Sequence, residues 1–324
     1  MDDLAETLAI NFQVTEFPNN PHAPHPRFSQ YKLKHKNADQ TARRKRLLEE
    51  QKLQRYKYVN NKRNLPDDKI PDEDEGEEPM QWEQQQRTKK RRNNGRLMLS
   101  EWLVDVPDDL DTNWYFMLCP IGRRCLVMTN KGHTVAFSRN GHFLKQFSSH
   151  LPGGNNHEQK SRNEYTTLDC VLSATEHTFY VLDIMCWKGH PVYDSETEFR
   201  FYWLNEKLSE VPEISCQTLI NPYRFIPLQF FQYSSLEMHR VMSSPAPFQV
   251  DLDGILFYHK QTHYVSGPTP LVNWLKAYMI PEVLDVDVME KYLKERPADY
   301  VGITQYKESL SKKLKKNKEV RMDL

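Results

Sequence analysis

Residues 119–125 read CPIGRRC: a cysteine, a proline-to-glycine step and two arginines at the apparent end of a strand. Two chemistries fit such a stretch. Arg123 and Arg124 would depress the Cys119 thiol if they lay close in space, making it a nucleophile. Alternatively, the cysteine lines a place where chemistry has been replaced by recognition. A cysteine nucleophile needs a base, most often histidine. His133, His142, His190, His259 and His263 are available, but none stands in a recognisable cysteine-hydrolase context. The catalytic thiol is therefore the weaker reading.

Outward from this stretch the texture is that of short strands. RRCLVMT (123–129), HTVAFSR (133–139) and HFLKQFS (142–148) alternate or run apolar, and Asn140-Gly141 between the last two is a hairpin signal. TTLDCVLSA (166–174) and TFYVLDIMCW (178–187) predict another pair, with EFRFYWL (198–204) as a following strand. QVDLDGILFYHKQTHY (249–264) predicts a further strand pair, and TPLVNWLKAYM (269–279) closes the pattern. Helices are expected at Ser100–Trp102, about 204–210, 234–242 and from about Gln305. The fold class is α+β, rich in antiparallel sheet.

The chain has 324 residues with 44 basic and 44 acidic side chains. The zero net charge hides segregation. Arg27 to Arg63 is strongly basic, Asp67 to Glu83 carries nine acids against one lysine, and Arg87 to Arg96 is basic again. Such blocks stay solvated and serve as interaction segments. Five cysteines without a CxxC pair argue against a disulfide framework and a zinc site, and for a reducing compartment. No apolar stretch approaches the 18 residues of a membrane span. The start, MDDLAETL, has acids where a secretory leader has its basic region. One globular unit of roughly 200 residues behind a long charged arm is expected.

Within the arm, Leu4, Leu8, Phe12 and Val14 leave two readings open: a frayed terminus, or a peptide docking into a partner's apolar groove. PNNPHAPHP (18–26) blocks helix. Thr41 is expected to cap a helix from about Ala42 to Asn61, with Leu47, Leu48, Gln51 and Arg55 on one side and Arg43, Arg44, Lys45 and Arg46 consecutive. No apolar face is wide enough to build a core. A solvated helix, a nucleic-acid patch and a helix gripped by an acidic protein groove all fit that pattern. Residues 65–96 predict a disordered linker.

Four short stretches resemble, in order, the motifs of covalent nucleotidyltransferases. CPIGRR (119–124) overlays Lys-x-Asp-Gly-x-Arg with Gly122 and Arg124 in place, but Cys119 stands at the lysine and Ile121 at the aspartate. LDCV (168–171) resembles the Leu-Asp-Gly-Glu strand with Val171 for the glutamate. DGILFYHK (253–260) and TPLVNWLK (269–276) resemble the later motifs. Nucleotidyl transfer needs the lysine amine and metal-holding acids. The resemblance thus implies a guanylyltransferase-like fold without its chemistry. An active guanylyltransferase-like enzyme is the alternative, disfavoured by Cys119.

RFSQYK (27–32), ARRKRLLEEQK (42–52), LMLSEWLVDVP (97–107), FSSHLPGGN (147–155), YVLDIMCWKGHPVYD (180–194), FRFYWL (199–204) and DGILFYHKQTHY (253–264) together resemble the snurportin family. The resemblance implies a nuclear import adaptor, not an enzyme, shuttling between cytoplasm and nucleus without metal, cofactor or membrane. It implies an export-receptor-binding segment at 1–17 using Leu4, Leu8, Phe12 and Val14. It implies an importin-β-binding helix at 25–64 using Arg27, Lys32, Arg43, Arg44, Lys45, Arg46, Lys52 and Arg55. The linker at 65–96 leads to a cap-binding domain at 97–300 and a basic tail at 301–324. That domain would bind the 2,2,7-trimethylguanosine cap of small nuclear RNA. Trp274 would stack on the cationic base, Leu99 would close the opposite side, and Trp102 would meet the N2 methyls. Ser100 and Cys119 would line the base pocket, and Arg124 and Arg139 would meet the phosphates, with Lys145 and Lys260 as unranked alternatives.

Overall fold

The computed structural model describes residues 39–63, with side chains through residue 56, then 97–155, 164–298, 300, 302 and 303. Leu4, Leu8, Phe12, Val14, Arg27, Lys32, the linker and the helix expected from Gln305 lie outside the described residues.

Two sheets make the domain. The first orders β1 (Met98–Trp102), β12 (Gly267–Leu275), β11 (Leu252–His259), β2 (Trp114–Pro120) and β10 (Phe230–Gln232). The second orders β5 (Phe143–Phe147), β4 (His133–Ser138), β3 (Arg123–Asn130), β6 (Thr167–Ser173), β7 (Thr178–Trp187) and β8 (His190–Pro191), with β9 (Arg224–Pro227) pairing β7. All pairs are antiparallel except β1–β12 and β7–β9.

Period-two alternation explains how one strand serves two cores. Leu126, Val171, Tyr180 and Leu182 turn toward the first sheet and join its Phe116, Leu118, Leu256 and Trp274. Their neighbours Cys125, Val127, Cys170 and Val181 turn the other way, under Leu204 and Leu208 of helix α3 (Thr197–Ser209). Strand β7 is buried along all ten residues because both its faces are covered. Each large apolar side chain so covered contributes about 1.5–3 kcal/mol.

Several local expectations change. Ser100–Trp102 is strand, held in β1 by parallel pairing to β12, not helix. EFRFYWL is not a strand but the body of α3. Its buried residues Phe201, Leu204 and Leu208 recur at helical spacing, a period that the aromatic content masks. Residues 249–264 hold one strand, β11; after it, Lys260 and Thr262 donate backbone bonds to Asn113 and His259 and form a turn. The basic helix α1 spans Gln40–Arg63, two residues longer at each end than expected. That cap is Asp39, not Thr41: Asp39 Oδ1 accepts from the Thr41 and Ala42 amides at 2.9 and 3.1 Å. The helix predicted at 234–242 is α4 (Ser235–Met242), which follows the short helix α2 (Leu110–Asn113) in chain order and is capped by Ser234.

Candidate functional site

A narrow cleft of about 10 Å³, room for roughly one water, lies where the two sheets meet near the CPIGRR turn. Ser100 of β1, Cys119 and Pro120 of β2, Leu256 of β11 and Trp274 of β12 line it from the first sheet. Gly122, Arg124 of β3, Val171 of β6 and Leu182 of β7 line it from the second, and Asp253 completes it. Two glycines make the geometry possible. A Cβ on Gly122 would stand 2.6 Å from a Val171 methyl and 2.7 Å from the Leu172 carbonyl oxygen. A Cβ on Gly254 would stand 2.5 Å from the Trp274 ring. The first glycine lets the turn press onto β6; the second provides the slot in which the indole lies.

Arg124 enters the pocket with much of its guanidinium committed. Its Nε and Nη2 fork onto Asp169 at 3.1 and 2.8 Å, and Nη2 also donates to the Met98 carbonyl at 2.7 Å. The Tyr264 hydroxyl donates to the same carboxylate at 2.7 Å and accepts from the Met98 amide. Burial opposes the arginine charge, but Asp169 more than compensates and holds its pKa above the ordinary range. Asp169 and Tyr264 escaped the sequence reading because their partners are remote in the chain.

Ser100, Cys119, Arg124 and Trp274 are thus brought together. Trp102 sits opposite Trp274 in the β1–β12 register. Leu99 is half-buried beside Ser100, and neither it nor Trp102 lines the pocket. Arg139 directly follows Ser138, the last residue of β4, lies in the turn beyond it and is not among the residues lining the pocket. The Cys119 thiol is buried, 3.9 Å from the Pro120 carbonyl oxygen, and no histidine is among the described residues lining the pocket. Asp253 was legible in DGILFYHK as a motif residue but was not placed in the pocket.

Next to the pocket, α1 packs against β1 and β12 of the first sheet. Arg43 forks onto Glu101 with both bonds at 2.7 Å, and the two side chains are 7% exposed each. Arg44 donates to the Pro270 carbonyl, Gln40 Oε1 and Asn273 Oδ1 at 3.1, 2.9 and 2.9 Å, and stands 5.4 Å over Trp114. Burial lowers the Arg44 pKa to about 10, against the pull of Asp105, Glu101 and Asp109. Gln40 donates to the Trp102 carbonyl at 3.0 Å. Further along, Gln51 accepts from the His263 amide and Arg55 pairs with Glu196 at 3.2 Å. Lys45, Arg46 and Lys52 point to solvent. The basic helix is therefore split: two arginines are spent on the domain, and the other described cations stay at the surface.

Residues 96–277 match the family model described as Snurportin1, m3G cap-binding domain, and residues 25–64 match the one described as Snurportin1. The chain belongs to the snurportin family. Its m3G cap-binding domain falls on residues 96–277, and its N-terminal snurportin segment on residues 25–64. Among solved structures the similarities are low. A structure described as Pmar-Lig_PreS3 is 12% identical over 56% of this chain and 46% of that one, with a TM-score of 0.42. A mycobacterial DNA ligase D complexed with ATP and MES is 13% identical over 55% and 58%, with a TM-score of 0.35. The chain spans about half the length of these structures.

Proposed function

We propose that the pocket at the CPIGRR turn holds the trimethylguanosine base and that the domain performs no nucleotidyl transfer. The carrying observation is the convergence of Ser100, Cys119, Arg124 and Trp274 on one pocket from three strands of one sheet and one of the other. A cationic 7-methylated base gains stacking and cation–π energy on the Trp274 indole, worth roughly 1–3 kcal/mol. Trp274 is only 2% exposed, so cap entry requires its ring face to be uncovered. Trp102, its neighbour in register, offers apolar contact to the N2 methyls, and Leu99 closes the far side. Arg124, held by Asp169, presents a fixed positive charge, and Arg139, in the turn after β4, is the second phosphate contact. Cys119 replaces the amine that a covalent transferase would use, so a capped end is held without a bond to the protein.

The remaining assignments rest on the same family membership. The arm at 1–17 binds an export receptor through Leu4, Leu8, Phe12 and Val14 and returns the adaptor to the cytoplasm. The segment 25–64 meets importin-β, 65–96 is the linker, 97–300 the cap domain and 301–324 the tail. Competition between trimethylated, monomethylated and unmethylated cap dinucleotides tests the reading: the trimethylated form should win. Equal binding of all three, or of uncapped RNA at matched salt, refutes it. A covalent protein–GMP adduct formed with GTP and magnesium would refute the non-enzymatic part.

A further inference from the structure

Asp253 is the one acidic side chain among the described residues lining the pocket. Its position is built rather than incidental. Leu252 pairs with Pro120 and Gly254 with Cys119, so two steps on β11 oppose one step on β2, and Asp253 is the extra residue of a bulge. Bulges re-aim a side chain at the edge of a site. The carboxylate is then fixed by Lys276, whose Nζ lies 2.6 Å from Asp253 Oδ1, with the two side chains 16% and 15% exposed. The lysine holds the carboxylate in place.

We infer that Asp253 accepts the N1–H of the methylated guanine and sets the preference for a base that is cationic at N7. This deepens the reading that the pocket holds the cap, and rests on it. Two methyls on N2 remove both donors of the exocyclic amine, leaving N1–H as the donor on that edge of the base. Methylation at N7 places a positive charge on the ring, which makes N1–H a stronger donor and a carboxylate its electrostatic complement. A hydrogen bond to an ionised acceptor is shorter and about twice as strong as a neutral one. A carboxylate has roughly four acceptor sites, so the Lys276 contact and a base contact are compatible. Arg124 cannot serve this purpose, because it is a donor of the same sign as the base. Trp274 favours the cationic base through its ring face; Asp253 adds discrimination at the ring edge.

The test uses the full chain and two probes, the 2,2,7-trimethylguanosine and the 2,2-dimethylguanosine cap dinucleotides, which differ in the N7 methyl and its charge. Asp253→Asn keeps the size and an acceptor for Lys276 but removes the charge. Affinity for the trimethylated probe should fall roughly 10- to 100-fold. Affinity for the dimethylated probe should fall clearly less, so the ratio of the two narrows. An equal loss on both probes, which a purely structural role predicts, or an unchanged ratio overturns the inference. Lys276→Gln carries the test should Asp253→Asn lower the unfolding temperature below the assay range. It leaves the carboxylate without its counterion, and the preference for the trimethylated probe should rise at least about twofold; an unchanged ratio overturns the inference here too. Wild-type protein that fails to bind the trimethylated probe would overturn the pocket reading and this inference together, an outcome distinct from binding with an unaltered ratio.

Discussion

Replacing Glu101 with alanine isolates what holds the basic helix to the cap domain. Glu101 takes both Arg43 bonds at 2.7 Å and a third from Gln40 at 3.3 Å. Arg44 adds bonds to the Pro270 carbonyl and to Asn273. Leu47 and Leu48 are only half-buried, and the Arg43 Nε and Arg44 Nη1 are buried without a hydrogen-bond partner. Docking therefore already carries a desolvation cost, and the Arg43–Glu101 fork offsets it. Removing one partner of a buried pair leaves the other uncompensated, at about 3–5 kcal/mol. At 1.4 kcal/mol per tenfold, the docking equilibrium should move about 100- to 4,000-fold toward the released helix. An importin-β that grips Arg43 and Arg44 sees only the released fraction, so its apparent affinity rises in proportion to that fraction and saturates as the fraction nears one. Amide exchange over residues 40–56 should accelerate, and importin-β titration should show tighter binding, while trimethylated-cap affinity stays measurable. Glu101→Ala with unchanged exchange and unchanged importin-β affinity would refute the reasoning, because the fork would then not be what holds the helix.

Gly122→Ala should destabilise the domain by about 1–3 kcal/mol, since the Leu172 backbone cannot yield to a Cβ at 2.7 Å; thermal melting should show a loss of about 2–4 °C per kcal/mol. Asp169→Asn should weaken cap binding and lower stability together, by about 3 kcal/mol, because it leaves the Arg124 guanidinium buried with half its fork; a cap titration with an unmoved unfolding midpoint would contradict this. His259 has its pKa lowered to about 4, by burial first, against the pull of Asp109 and with Arg44 and Lys52 adding to the depression. The unfolded chain then binds the proton first, so stability is full above about pH 6.5 and falls toward pH 4, by about 3 kcal/mol in all. Urea midpoints at pH 7 and 4.5 should differ less in His259→Gln than in wild type.

Much of the architecture was legible in local pattern. Asn140-Gly141 marked the β4–β5 hairpin, and the apolar runs 166–174 and 178–187 marked the buried β6–β7 pair. Ser234 and the spacing of Met238, Val241 and Met242 marked α4. EFRFYWL failed because aromatic residues favour strands in isolation, while here the Phe201, Leu204 and Leu208 spacing and the cover they find against the second sheet decide for helix. Residues Ser100, Cys119, Arg124 and Trp274 were named from the family resemblance, and the fold brings the four to one pocket.

The composition of the sequence determined that this is a sheet-rich domain with a basic arm, and its motifs carried the family, because strand texture, turn chemistry and motif spacing are local properties. Only the tertiary structure decided that Arg124 is anchored by Asp169 and Tyr264, that Asp253 is bulged into the pocket, and that Arg43 and Arg44 are turned onto Glu101 and Asn273. Those pairings join residues 45, 58 and 229 positions apart in the chain. Side chains so distant meet only once the sheets have paired, and a buried charge is tolerable only where the completed fold supplies its partner.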